Sequence, residues 1–255
     1  MQNLSTVGLT AREGGAILPA MPTRTSALDF IDGLERELKA LPVHTNPFFQ
    51  AFQRGVTLEQ VKRFIRQWYT FGLRFRKILI GLLYNVSDQN EAIGLELMRV
   101  LYSEYGEGVR ENVHAAQMLR LVDRLGIDRG CLAKERLCPE AQDYIDTVGE
   151  IFMRGDLPSA LGASFGIETT AGLMYRYIYS GLLTFPDLSL EDIRFFETHL
   201  FEELHHGDWL RTALAGYAEL DEHRDKIRAA ALLAMEKWHG LWEGMCRVVL
   251  SSTPT

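Results

Sequence analysis

The sequence predicts an all-α fold, a single bundle of seven or eight helices, and three observations carry that expectation. Apolar residues recur at three- and four-residue spacing through almost every stretch beyond residue 24. Alternating β-branched runs and Asn-Gly hairpin signals are absent. No segment repeats at a period of roughly 20–50 residues, and no tract has low complexity.

Taken in order, residues 1–24 scatter Gly, Pro, Ser and Thr without periodicity and read as a flexible N-terminal arm, leaving 25–255 as one helical domain. Ser26, with Asp29 three residues on, caps a first helix that Pro42 closes. "NPFFQAFQRG" is a short helix stopped by Gly55, and Thr57 with Gln60 opens a long one through "VKRFIRQWYTFGLRFRKILIGLLYNV". Ser87 is expected to start the next helix, reaching about Tyr105, before the turn "GEG". Further helices run from about Asn112 to Leu125, from Pro139 to about Met153, and through "LPSALGASFGIETTAGLMYRYIYSGLL". Ser189 with Asp192 is expected to cap the segment through "HLFEELHHGDWLRTALAGYA", and a last helix spans about Asp221 to Leu250.

Composition excludes several classes. The 255 residues are 47% apolar and 24% charged, enough for a sizeable core. A net charge of −7 without a basic block argues against nucleic acid and anionic membrane as partners. No apolar run approaches the roughly 20 residues that span a bilayer. The N-terminus lacks a basic start followed by an apolar run, so the expectation is a soluble, cytoplasmic protein. Cys131, Cys138 and Cys246 fit no zinc spacing and read as reduced structural thiols.

The chemistry concentrates in "HLFEELHHGDW". On a helical wheel Phe196, His199, Glu203, His206, Leu210, Ala213 and Tyr217 form one stripe, apolar at both ends with His, Glu and His between. Glu202 and His205 lie on an adjacent face, as surface residues or as outer partners that orient the ligands. A carboxylate buried between imidazoles costs several kcal/mol if unpaired, on the order of a lost buried ion pair, and a bound cation removes that penalty.

Other helices offer partners. The stripe Ile93, Leu97, Val100, Glu104 ends on a carboxylate, and His114, Met118, Leu121, Leu125 begins on an imidazole. Glu168 sits in the middle of Leu161, Ser164, Glu168, Ala171, Tyr175, the one acid between Asp156 and Asp187. Three carboxylates and three imidazoles supply ligands for two metal ions, and mixed oxygen and imidazole donors suit iron or manganese. Helical bundles build dimetal carboxylate sites from inward residues that include a Glu-x-x-His pair, and Glu203 with His206 is one. A rival pair stands at Glu236 and His239, which a ferritin-like ligand set would use. That assignment leaves His114 and His199 without a role, and both pairs would follow both lone glutamates. Arg74, Arg76 and Lys77 are candidates for holding a substrate carboxylate, a solvated face being the alternative. Tyr175 is a candidate pocket residue, with an ordinary core tyrosine as the alternative.

The ordered set resembles the haem-oxygenase-like di-iron oxidases and oxygenases, relatives of the pyrroloquinoline-quinone-synthase-C and TenA proteins. The resemblance covers about residues 28–250. "NPFFQAFQRGVTLEQVKRFIRQWY" is similar to the entry segment, and "LYSEYGEGVRENVHAAQMLRLVDRLGID" to the Glu-Gly-x-Gly-His segment, which maps onto Glu104 and His114. "LGASFGIETT" matches the central ligand segment at Glu168, and the closing His-x₃-Asp/Glu-x₂-His motif falls on His199, Glu203 and His206.

The resemblance implies a haem-oxygenase-like bundle of about seven core helices, often a homodimer, that binds two Fe ions and uses O₂ as co-substrate. It further implies oxidation of a small amino acid or amino-acid-derived metabolite, by N-hydroxylation, cleavage or rearrangement, in specialised-metabolite biosynthesis. A metal-independent quinone-synthase-like oxidase and a non-catalytic helical binding protein are the alternatives. Two departures narrow the choice. A TenA-type thiaminase places a nucleophilic Cys shortly before the central acid, and "LGASFGIE" has none. The subfamily that consumes its own tyrosine to make 4-aminobenzoate has Tyr where this chain has Phe49.

Overall fold

Three side-chain caps set the start of the bundle. Ser26 accepts from the Asp29 amide at 3.1 Å and starts α1 (Ala27–Lys39), and a 3-10 turn at Pro42–Thr45 follows. Asn46 caps α2 (Pro47–Arg54). Thr57 and Gln60 close a reciprocal capping box, the Thr57 amide to Gln60 Oε1 at 2.8 Å and the Gln60 amide to Thr57 Oγ1 at 3.2 Å. It opens the 30-residue α3 (Leu58–Ser87). The computed structural model describes residues 26–87 and 89–251, with residue 87 and residues 201–208 described in backbone only. The expected arm over 1–24 lies outside the described residues.

The remaining helices are α4 (Glu91–Glu104), α5 (His114–Arg124), α6 (Arg129–Leu132), α7 (Pro139–Arg154), α8 (Leu157–Leu182), α9 (Arg194–Tyr217) and α10 (Asp221–Leu250). Among the described residues there is no strand, and the fold is all-α.

Two boundaries differ from expectation. Ser87 ends α3 instead of starting α4; Asn90 is the cap, its Oδ1 accepting from the Ile93 amide at 3.2 Å. Ser189 and Asp192 do bond each other's amides, at 2.8 and 3.2 Å, but they close only a turn. Ile193, at φ −103° and ψ 12°, leaves helical geometry, so α9 starts at Arg194. The four-residue α6, capped by Asp128, carries too short a pattern to be read from periodicity.

Helix α8 is the axis around which the site is arranged. It packs on α2, α9 and α10, and it is buried on almost every face. Glycine makes that possible at Gly162, where a Cβ would stand 2.3 Å from the Ile227 carbonyl oxygen of α10. Helix α7 packs on both α3 and α10 and closes the other side. Trp242 of α10 is fully buried against Phe48, Phe49 and Trp68, with ring centroids 4.8–5.3 Å apart. No described helix is long and apolar enough to cross a membrane.

Candidate metal centre

Backbone geometry brings the first two candidate ligands together. Helix α4 ends on Glu104, and Gly106, Glu107 and Gly108 follow with φ of 68°, 53° and 82°. Such a left-handed run reverses the chain within a few residues, and glycine adopts it without steric cost. Gly106 is doubly constrained, because a Cβ there would stand 2.4 Å from the Val113 amide nitrogen. The Tyr102 hydroxyl donates to the Glu107 carbonyl at 2.7 Å and holds the turn. Helix α5 therefore begins against the end of α4, and His114 Nδ1 lies 3.1 Å from a Glu104 carboxylate oxygen. Both are shielded, His114 at 4% exposure.

Helix α9 supplies the third. His199 is buried, and its Nδ1 lies 2.7 Å from the Phe195 carbonyl oxygen one turn back. A carbonyl only accepts, so Nδ1 carries the proton and Nε2 keeps its lone pair, the tautomer a metal ligand needs. The His114 and His199 ring centroids are 4.5 Å apart. One donor atom from each of Glu104, His114 and His199 lies within 4.8 Å of the others, and the three form a metal-capable cluster among the described residues. One carboxylate and two imidazoles, one of them oriented by a backbone carbonyl, fit a first-row divalent ion such as iron.

These three open on a cavity of about 90 Å³, and Glu168 of α8, half-buried, lines the same cavity. Tyr175, one of the pocket candidates, lines it as well, its ring centroid 4.5 Å from that of His199. The facing wall is aromatic: Trp68 and Phe71 of α3, Tyr144 of α7 and Trp238 of α10. These rings pack on one another, with Trp68–Phe71 centroids at 4.9 Å, Phe71–Tyr144 at 5.6 Å and Tyr144–Trp238 at 5.1 Å.

Tyr144 is the feature that sequence reasoning missed. It is fully buried, and among the described residues its hydroxyl has no hydrogen-bond partner. Burial, and then the negative charge of Glu168, push its phenol well above the ordinary value, so it stays a protonated donor. One tyrosine in the core stripe of α7 looks like packing in a sequence; the buried, unpartnered hydroxyl shows only in three dimensions.

The other candidates fall in different places. The side chains of Glu202, Glu203, His205 and His206 lie outside the described residues. Arg74 does not line the cavity, which corrects its reading as a pocket residue. Its guanidinium donates to Gln142 of α7, because position 74 of α3 points along the α3–α7 contact. Arg76 does line the cavity, its guanidinium 4.8 Å above the Tyr105 ring. Lys77 is exposed. In the rival pair Glu236 is exposed, and His239 faces Glu243 at 3.6 Å on the outer side of α10.

Comparisons with known proteins bear on the family and the fold. A family model described as an iron-containing redox enzyme matches residues 62–239. The chain is 21% identical over 225 residues to a 4-chloro-allylglycine synthase from Streptantibioticus cattleyicolor, covering 87% of this chain and 84% of that one. A domain of unknown function with a heme oxygenase-like fold from Shewanella denitrificans superposes with a TM-score of 0.71 at 16% identity, over 85% of this chain and 92% of that one. A CADD-like protein of unknown function from Nostoc punctiforme superposes with a TM-score of 0.70 at 18% identity, over 88% and 98%. Likeness at these identities shows the shared heme oxygenase-like fold.

Proposed function

The chain belongs to the iron-containing redox enzyme family, and from that premise we propose a non-haem di-iron oxygenase or oxidase acting on a small amino acid or amino-acid-derived metabolite. The observation that carries the reading is the cluster of half-buried Glu104 with buried His114 and His199, on a cavity that Glu168 also lines. The proposed ligands are Glu104, His114, Glu168, His199, Glu203 and His206. Their three carboxylates set −3 against the +4 of two Fe(II) ions, close to neutrality in a shielded site. The substrate class is carried over from the 4-chloro-allylglycine synthase, whose product is an amino acid.

When bound, the iron supplies the O₂ chemistry. The chain's own residues do the rest. The Phe195 carbonyl holds the His199 ring in one tautomer and orientation. The turn at Gly106 holds Glu104 against His114. The wall of Trp68, Phe71 and Trp238 excludes water from one side of the cavity and gives an apolar surface for the substrate's carbon skeleton. The Tyr144 phenol offers a protonated donor within that wall.

The test is iron per chain after anaerobic Fe(II) loading, in the wild type and in Glu168→Ala, followed by O₂ uptake with L-amino acids. Close to two irons, falling sharply in the variant, with uptake in the wild type, is the expected result. Two irons retained by Glu168→Ala would mean the wrong glutamates were chosen. Iron bound without any O₂ uptake points to a binding protein, and uptake that survives a chelator points to a metal-free oxidase.

A further inference from the structure

We infer that Arg76 is the anchor for a carboxylate on the substrate, so that the ligand of this cavity is an acid and not merely an amine. The inference rests on the amino-acid-like substrate proposed above and adds the residue that would recognise it. Arg76 is the sole lysine or arginine lining the cavity among the described residues. The other charge-bearing groups on that lining, among the described residues, are the carboxylates of Glu104 and Glu168 and the imidazoles of the metal cluster.

The guanidinium is placed but not spent. Among the described residues it forms no hydrogen bond and no ion pair, and it lies over the face of the Tyr105 ring, 4.8 Å from the centroid. Stacking on an aromatic face holds the plane of the guanidinium while leaving its N–H edge available. That edge presents parallel donors matched to the two oxygens of a carboxylate. Tyr105 directly follows the candidate ligand Glu104, so an acid gripped by Arg76 would sit beside the metal cluster.

Its neighbours on α3 sharpen the assignment. Arg74 is taken up by Gln142 and Lys77 is exposed, whereas Arg76 alone of the three faces the cavity. It is also half-buried, which strengthens a charge-assisted pair relative to one in open solvent.

The experiment uses the full chain, loaded anaerobically with Fe(II) so that nothing turns over. Calorimetric binding is measured for the twenty L-amino acids and for the carboxamide of each one that binds. The amide keeps the side chain and amine and removes the carboxylate. The wild type should bind its preferred acids at least about tenfold more tightly than their amides, the worth of one charge-assisted hydrogen bond. Arg76→Gln should erase that ratio by weakening the acid and leaving the amide unchanged, Arg76→Lys should keep part of it, and neither should change iron per chain. An acid-to-amide ratio that survives in Arg76→Gln, or a wild type that prefers no acid to its amide, overturns the inference. Its failure is separable from that of the di-iron reading. A wild type that holds iron without the acid preference sinks Arg76 alone. A chain that holds no iron sinks the metal reading, and the acid–amide comparison on the iron-free protein still decides Arg76.

Discussion

The two walls of the cavity are built by different means. The wall carrying Glu104 and His114 is set by backbone: three consecutive left-handed residues and a glycine that touches the next helix. The wall carrying Trp68, Phe71, Tyr144 and Trp238 is set by side chains from three long helices packing on one another. The first wall concentrates polar groups at one point and rests on a single turn. The second spreads its stability over many ring contacts, yet leaves the Tyr144 hydroxyl without a partner among the described residues. Ligand geometry is therefore vulnerable to small backbone changes, while the aromatic wall is vulnerable to loss of volume.

The largest separation of the two walls should come from Trp68→Ala. Removing a buried indole from the aromatic wall should cost about 3–5 kcal/mol in urea unfolding. A folded fraction should still bind iron, since none of the metal cluster is touched. Gly106→Ala works on the other wall: a Cβ against Val113 and a strained positive φ should cost about 1–3 kcal/mol. It should also remove most of the bound iron while leaving the near-UV circular dichroism of the aromatic wall in place. Retained iron in that variant would break the claim that the turn sets the ligand geometry.

Asp156 probes the frame both walls share, because it caps α8, accepting from the Ser159 amide at 3.0 Å, and pairs with Lys226 of α10 at 2.7 Å. Asp156→Ala should cost about 1 kcal/mol, the usual worth of a cap. Burial opposes ionisation of Asp156, but Lys226 and Ser159 outweigh it and hold the carboxyl below its ordinary 3.8. A carboxyl depressed in the folded state adds stability that is fully present above 3.8 and is lost as pH falls through the lower folded value. The gap in melting temperature between wild type and Asp156→Asn should therefore be full at neutral pH and close in acid. Tyr144→Phe should be neutral or slightly stabilising in the same melts, because it removes a buried hydroxyl that has no partner among the described residues. A clear loss of stability would show that the hydroxyl is structurally satisfied. Smallest of all, Glu236→Gln should change neither stability nor iron content, because Glu236 is exposed on α10.

Much of this was legible before any coordinates. The Ser26 and Thr57–Gln60 caps are local chemistry, and each occurs where residue type and spacing placed it. Glu168 stood out because an acid in so apolar a helix needs a reason. Local pattern does not choose between Ser87 and Asn90 as the cap of α4, since both residue types cap helices and the choice depends on where α3 finally stops. Arg74 and Arg76 were indistinguishable in sequence; two positions on a helix differ by about 200° in direction, and only the packing of α7 says which one meets the cavity.

The local pattern was enough to specify the helices, their apolar stripes and the polar residues that interrupt them, because caps and periodicity act over a few neighbouring residues. Which interruptions meet was a matter for the folded chain. Glu104, His114, Glu168 and His199 come from four helices, and Tyr144 from a fifth. Their convergence depends on contacts distant in sequence, such as the approach of Gly162 to Ile227 and the packing of α7 between α3 and α10. Such contacts follow from how volumes fit across the bundle, and no short window of residues encodes that fit.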